Sequence, residues 1–550
     1  MRVIGILLVM VVAFAAIGVR LFELQARDRS HLTSLGLGQR VRTVAIPAER
    51  GNIFDRSGKV LAVSVPQTTV VADPRVIKDP VAYAAKLAPL VHVDQAALAA
   101  RLSNRKSAFA YVARKVDDPT TEQVKQLGLV GISYQAESRR FYPTGSVAGP
   151  VIGFVGTDNN GLGGMEYRYD KLMTGVPGRA QVERDPQGND IPGGGHQVQA
   201  AKRGQDVVLT IDQSLQWNTE QALLQGVTAM NAKGGTAVIV DVQTGDVVAM
   251  ATVNGATDKL PAQTAPATES NRPITDVYEP GSTNKVITMS GAIQEGQVTP
   301  DSTFSVDQSI NVGGTDYEDD EKHPTTTMTV ADILAQSSNV GTIQIAHGLG
   351  KDKLAQYLDA FGFGHPTGLG LPGESSGSSF DAARYTDTSM GSVPIGYGVA
   401  VTAMQMLDVY TTIANHGMSR PPRLVDATVD AEGNRHDQAL PAPRQIVSAA
   451  TAAAVTGMLK RVVSEGTGMK AQIPGYPVAG KTGTARKAPY DTGAYNASFA
   501  GFAPADNPRL AAIVVMDSPE GSIYGADAAA PVFQQIMRFA LAYERVPTTP

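Results

Sequence analysis

The chain of 550 residues contains no cysteine. That absence excludes disulfides, thiolate catalysis, iron–sulfur clusters and cysteine-ligated zinc. It leaves the compartment open, because a cysteine-free chain folds on either side of a membrane. Histidine is scarce: eight are present, none in an H-E-x-x-H or other paired ligand spacing. Tryptophan occurs once, at Trp217, and says little. A basic excess is missing too. The formal net charge is −5, which argues against nucleic acid as a partner. There is no internal repeat, and only one apolar run approaches membrane-spanning length.

What is present fits a large folded protein. Hydrophobic residues make up 43% and charged residues 18%, which excludes wholesale disorder. The length allows about three or four domains, and 56 glycines with 33 prolines predict many turns.

Residues 3–19 (VIGILLVMVVAFAAIGV) carry no charge and are closed by Arg20. As a helix they would run about 26 Å, the short end of a bilayer span, and Arg20 can lengthen it by snorkelling. A cleaved signal peptide, cut near Ala13-Phe14-Ala15, is the alternative. The run exceeds the usual signal core of about 7–15 residues, so we read an uncleaved anchor over 1–26. Flanking charge does not set its orientation: Arg2 stands on one side, and Arg20, Arg27 and Arg29 stand on the other.

From residue 42 to about 200 the chain is rich in turn residues, with short apolar strands expected at 68–72 and 151–155. The stretch 185–195 (DPQGNDIPGGG) reads as a loop and a boundary. A new block opens with a strand at 206–212, an amphipathic helix over 214–229, and a strand pair at 236–242 and 246–251 joined by the turn Gln243-Thr-Gly245. Helical periods recur at 282–295, 329–349 and 449–465, and strands at 478–486 and 510–516. Strands at both ends with helices between them predict one large α+β domain whose terminal strands meet in one sheet.

Three short motifs carry chemistry. In Glu279-Pro-Gly-Ser-Thr-Asn-Lys285, Ser282 opens a helix and Lys285 falls on the same face one turn later, where an amine can take a hydroxyl proton. A capping serine beside a solvated lysine is the plainer reading of that pair alone. Ser337-Ser338-Asn339 interrupts a helical pattern with small polar residues, which predicts a turn projecting Ser337 and Asn339. An ordinary helix-to-helix turn accounts for it equally well. Lys481-Thr-Gly-Thr484 follows Gly475-Tyr-Pro-Val-Ala-Gly480 and so formally matches a phosphate loop. A phosphate loop must open a helix, however, and Gly483 with Pro489 and Gly493 oppose one here. Alternation around 478–485 predicts a strand that presents Lys481, Thr482 and Thr484 along a cleft. The acidic run Asp316-Tyr-Glu-Asp-Asp-Glu321 near His323 reads as a solvated loop rather than a metal site. Gly161-Leu-Gly-Gly164 reads as a turn.

Singly these motifs are weak, but S-x-x-K, S-x-N and K-T-G in that order form the signature set of penicillin-recognising serine enzymes. The chain resembles the class B penicillin-binding proteins from its N-terminal run to its C-terminus. The resemblance includes Arg50-Gly-Asn-Ile-Phe-Asp-Arg56, Arg140-Phe-Tyr-Pro143, Gly164-Met-Glu166, the stretch from Tyr397 to Gln405, Gly466-Thr-Gly468 and Ser498-Phe-Ala-Gly-Phe-Ala-Pro504. Among subfamilies it is most similar to the septal cell-division type (FtsI type), notably in Lys481-Thr-Gly-Thr-Ala-Arg486.

That resemblance implies an α+β protein with three parts. These are a transmembrane anchor over 1–26, an elongated β-rich pedestal (dimerisation) domain over 27–200, and a transpeptidase domain over 201–545 with an antiparallel sheet flanked by helices. It implies a D,D-transpeptidase that cross-links peptidoglycan stem peptides outside the cell membrane, inhibited by β-lactams, needing neither cofactor nor metal. Expected partners are an FtsW-type glycosyltransferase and other division proteins. Ser282 would be the nucleophile, Lys285 its base, Ser337 a proton relay and Asn339 the orienting amide. Lys481, Thr482 and Thr484 would bind the terminal carboxylate, with Gly483 between them. An elongation-type transpeptidase, a D,D-carboxypeptidase and a catalytically silent division scaffold are the alternatives. A β-lactamase is disfavoured, because no Glu-x-x-x-Asn loop lies between Asn339 and Lys481: Glu374 is followed by Ser375-Ser-Gly-Ser378.

Overall fold

The structure, a computed structural model, describes residues 2–27, 41–183, 191, 196–255 and 270–548. The boundary loop expected over 185–195 therefore lies, save Ile191, outside the described residues. The N-terminal run forms a helix, Arg2–Phe22, long and apolar enough to cross a bilayer, with Arg20 paired to Glu23 at 3.1 Å.

The chain divides into two compact units. The first comprises Met1–Arg50, Ser64–Arg139 and Thr174–Gly204; the second comprises Gly51–Val63, Arg140–Met173 and Gln205–Pro550. In the first unit, the part of strand Val60–Ala72 from Ser64 onward pairs antiparallel with Ala110–Val116, and the strand also pairs with Ile132–Phe141. Helices Pro80–Val91, Gln95–Leu102 and Asp118–Gln126 pack there around Val70, Leu87, Leu98, Leu102, Val112 and Val124. Sequence reading had not singled these helices out, yet their starts are written locally. Asp79, Asp94 and Asp117 each accept the N–H three residues on, satisfying a donor the helix cannot. A separate three-stranded sheet joins Val41–Ile46, Gly178–Glu183 and His196–Gln199.

The second unit is built on one antiparallel sheet. Its parts in chain order are helix α1 (Gln213–Ala229), strands β1 (Gly234–Asp241) and β2 (Val247–Val253), helices α2 (Lys285–Gln294), α3 (Asn339–Leu349), α4 (Ala403–Ala414) and α5 (Ala449–Ser464), strands β3 (Ala479–Arg486), β4 (Tyr495–Ala503) and β5 (Leu510–Asp517), and helix α6 (Ala530–Tyr543). The strand order is β2-β1-β5-β4-β3. As expected, strands from opposite ends of the domain meet: β1 pairs with β5 from Gly234↔Asp517 to Asp241↔Leu510. Helices cover both faces, so successive residues along a strand enter different cores. Ala237 and Ile239 join Leu223 of α1 and Phe533 of α6, while Val238 and Val240 join Ile287 of α2 and Leu407 of α4. This double burial is why these strands read as continuous apolar runs without alternation.

Two local expectations need correction. Residues 151–155 do not form a strand. Gly149–Ile152 is a helical turn, because Pro150 cannot donate to a ladder and Gly153, at φ 78°, ends the turn. Val151 and Ile152 are buried in the helical turn as they would be in a strand, so hydrophobicity could not separate the two. The strand expected over 206–212 stops at Leu209, because Asp212 turns to cap α1 by accepting the N–H groups of Ser214 and Leu215. The helical period over 329–349 is interrupted where the small polar residues predict, giving two helices, Val330–Ala335 and α3, separated at Gln336–Ser338.

Two motifs distant in sequence meet in this unit. Arg140 donates to Glu166 at 2.7 Å and to the Gly51 carbonyl at 2.7 Å, and both charged side chains are almost wholly buried.

Candidate active site

Ser282 lies in a short 3₁₀ turn, Gly281–Asn284, that leads directly into α2. Gly281 adopts φ 55°, and a Cβ there would come within 2.9 Å of the Thr484 carbonyl, so only glycine lets the turn sit against β3. The turn is tied on several sides. Thr283 donates its hydroxyl to the Pro280 carbonyl at 2.8 Å, Tyr410 of α4 donates to the Thr283 carbonyl at 3.0 Å, and Asn284 donates to the Val393 carbonyl at 2.9 Å. Held this way, Ser282 is half-buried while its three successors are buried.

Lys285, one turn later, is fully buried. Its ammonium donates to the Ser337 carbonyl at 2.6 Å, to Asn339 Oδ1 at 2.7 Å and, at longer reach, to Ser337 Oγ at 3.4 Å. These three contacts use all three protons of a charged lysine. A neutral amine can keep the two short contacts and turn its lone pair towards the Ser337 hydroxyl. Burial pulls Lys285 down to about 8, against the raising influence of Asp319 and Asp320. Lys481 is also fully buried and lies well below the ordinary lysine range, first through burial and then through the nearby Lys285 charge.

The S-x-N segment is the predicted break. Ser337 sits at φ 63°, an uncommon conformation for a residue with a side chain, and Ser338 caps α3 by accepting the Gly341 N–H at 2.9 Å. Asn339 donates its amide to the Glu318 carbonyl at 2.8 Å, which turns its oxygen towards Lys285.

Strand β3 forms one side of the cleft. Thr482 and Thr484 line it, whereas Lys481 is fully buried and its ammonium donates to Thr482 O and Oγ1 at 3.2 Å. Gly483 leaves room for the nucleophile turn: a Cβ there would meet Ser498 Oγ at 2.4 Å and the Pro280 carbonyl at 3.0 Å. The cleft measures about 410 Å³ and is lined by Ser282, Ser337, Thr467, Thr482 and Thr484, with Asp319 and Tyr524 among its other walls.

All the candidate site residues thus lie within one unit, although Ser282 and Thr484 stand far apart in the chain. Several neighbours escaped the sequence reading. Thr467, from Gly466-Thr-Gly468, shares a hydrogen bond of 2.9 Å with Thr482, and the motif itself could have suggested it. Asp319 had no such signal. The acidic run was expected to be a solvated loop; instead Thr315–Glu318 is a strand, and Asp319 is buried with its carboxylate on the S-x-N turn. The chain can spend a carboxylate there because the first N–H groups of α3 need an acceptor. Among the described residues no group of three or more metal-ligating side chains is placed to hold an ion.

A buried serine–lysine turn, an S-x-N bend and a K-T-G strand around one cleft, on a five-stranded sheet covered on both faces, define a transpeptidase of the penicillin-binding class. Comparison with known proteins agrees. The model of the penicillin-binding protein transpeptidase domain matches residues 235–538, and that of the penicillin-binding protein dimerisation domain matches 45–209. The chain belongs to the class B penicillin-binding proteins. It is 33% identical to penicillin-binding protein PbpB of Mycobacterium tuberculosis, over 99% of this chain and 84% of that one. It is 36% identical to the peptidoglycan D,D-transpeptidase FtsI of Escherichia coli, over 94% of this chain and 87% of that one. The crystal structure of penicillin-binding protein 3 from Mycobacterium tuberculosis in complex with aztreonam superposes with a TM-score of 0.71 at 29% identity, covering 92% of this chain and 98% of that chain.

Proposed function

We propose that this protein cross-links peptidoglycan stem peptides as a D,D-transpeptidase through an acyl-enzyme on Ser282, in septal wall synthesis at division. The observation that carries the reading is the buried Lys285 amine, one turn from Ser282 and hydrogen-bonded to both Ser337 and Asn339. The likeness to FtsI of Escherichia coli, a peptidoglycan D,D-transpeptidase, and to penicillin-binding protein 3 complexed with aztreonam supports the substrate and the inhibitor class.

In the proposed reaction, Ser282 Oγ attacks the carbonyl carbon of the penultimate D-Ala. Lys285, in its neutral form, takes the hydroxyl proton. The carbon–nitrogen bond to the terminal D-Ala then breaks, and the proton passes by way of Ser337 to the leaving amine. An amine from a second stem peptide attacks the ester and gives a proton to neutral Lys285, which returns it to Ser282 Oγ as the carbon–oxygen bond breaks. The oxyanion sits between the N–H groups of Ser282 and Thr484, a type of donor worth about 3 kcal/mol each. Asn339 holds the peptide amide and orients Lys285. Lys481, Thr482 and Thr484, about Gly483, hold the terminal carboxylate that β-lactams imitate; an arriving anion favours the protonated form of Lys481.

The proposed organisation is an anchor over 1–26, a pedestal over 27–200 and a transpeptidase domain over 201–545. The N-terminus would lie inside and the catalytic domain outside the cell membrane. Strand polymerisation would come from an FtsW-type glycosyltransferase acting with other division proteins.

The test is intact mass of the detergent-solubilised chain incubated with benzylpenicillin, with Ser282→Ala alongside. A lasting adduct on the unsubstituted protein and none on the variant is expected. Fast drug turnover without an adduct would point to a β-lactamase. Absence of both adduct and turnover would point to a scaffold.

A further inference from the structure

Asp319 takes no part in the reaction just described, yet its carboxylate is almost fully buried and fully engaged. Oδ1 accepts the N–H of Asn339 at 2.5 Å and of Val340 at 2.9 Å. Oδ2 accepts the Ser338 hydroxyl at 2.7 Å and meets His323 Nε2 at 3.0 Å. Four contacts use the whole acceptor capacity of a carboxylate. Two of them satisfy the first free N–H groups of α3, where a negative charge is favoured. The backbone of Asp319 is itself fastened: its N–H donates to the Gln308 carbonyl at 3.1 Å, and Gln308 Nε2 donates to its carbonyl at 2.9 Å.

The consequence reaches the amine. Ser337 and Asn339, the two residues that receive Lys285, stand on either side of Ser338, and the same carboxylate holds the Ser338 hydroxyl and the Asn339 N–H, beside the Asn339 amide bond to the Glu318 carbonyl. The left-handed backbone at Ser337 is a conformation the surroundings must hold. We infer that Asp319 is a positioning residue for the reaction: it clamps the Ser337-Ser338-Asn339 turn in the shape that holds Lys285 and supplies the negative charge that amine faces.

This inference rests on the reading of Lys285 as the base, and its electrostatic part has a definite sign. Lys285 faces Asp319 and Asp320 on the segment after Glu318, which raise its proton affinity, while Lys481 on β3 carries the like charge. His323, which touches Asp319, also donates its Nδ1–H to the Pro324 carbonyl at 2.8 Å and is raised above its ordinary value by that contact first and by Asp319 second. Removing the Asp319 charge therefore makes Lys285 easier to deprotonate.

The experiment is the second-order acylation rate by benzylpenicillin as a function of pH, on the full chain and on Asp319→Asn and Asp319→Glu, with the thermal midpoint of each recorded. The unsubstituted protein should show a limb that rises with pH near 8. In Asp319→Asn, which keeps the shape and loses the charge, the limb should move about one pH unit lower. In Asp319→Glu, which keeps the charge and displaces the clamp, the limb should stay and the plateau should fall at least about tenfold, as misplacement of a catalytic group does. A limb that stays put in Asp319→Asn, or a full plateau in Asp319→Glu, overturns the inference while leaving the base intact. Absence of any limb in the unsubstituted protein overturns the base reading and the inference with it.

Discussion

The buried amine makes a quantitative demand on the reaction. A solvated lysine ionises near ~10.4, so at pH 7 only about 0.04% of it is neutral. With Lys285 brought down to about 8 by burial, the neutral share at pH 7 becomes about 9%, a gain of about 200-fold. The sign follows from the direction of the shift: the reactive form accumulates as pH rises through 8 and is lost as pH falls below it. Between pH 7 and pH 9 the neutral share climbs about tenfold and then saturates, and the acylation rate should follow it. Stopped-flow acylation with a chromogenic cephalosporin reads this directly. Lys285→Ala, which removes the base, should lower the plateau by about 10²–10⁴-fold while leaving the sheet and cleft in place. A rate that is flat between pH 7 and pH 9, or a Lys285→Ala variant acylated at nearly the unsubstituted rate, would refute the reasoning.

Two further outcomes concern stability. Glu220 of α1 is buried, accepts from the Ala148 N–H at 2.9 Å and from Gln216 at 2.7 Å, and is pushed up to about 7, chiefly by burial. Its folded value exceeds the unfolded one, so its contribution is fully present below ~4.3 and is lost as pH rises through 7. Relative to the unsubstituted protein, Glu220→Gln should gain up to about 3 kcal/mol between pH 4 and pH 8; urea midpoints at the two pH values check it, and an unchanged difference would sink it. Glu166→Ala strips the carboxylate from the nearly inaccessible Arg140, a change that costs about 3–5 kcal/mol. Thermal unfolding should show that loss, whereas a shift no larger than that of an exposed substitution would contradict it.

Much of the candidate site was legible in one dimension because its parts are short-range. The spacing of Ser282 and Lys285 is a property of one helical turn, the break at Ser337 follows from small polar residues in an apolar period, and the glycines beside Pro280 and Lys481 mark places where backbones must pass closely. Strand pairing between β1 and β5 was also foreseeable, since apolar runs at the two ends of a domain need a partner. The misreadings share a cause. Residues 151–155 and 206–212 are apolar runs whose class depended on one proline and one capping aspartate, and local hydrophobicity is blind to both.

Order, motif identity and the apolar N-terminal helix were thus determined by sequence alone, because each depends on residues within a turn or two of one another. Tertiary structure alone decided that Thr482 and Thr484 line the cleft while Lys481 is fully buried with its ammonium on Thr482. It also decided that Arg140 and Glu166 form one buried pair, and that one carboxylate of an acidic run closes the turn around the amine. Burial and charge proximity are sums over neighbours brought together from distant parts of the chain. The proton affinity of Lys285, on which the proposed reaction turns, is such a sum.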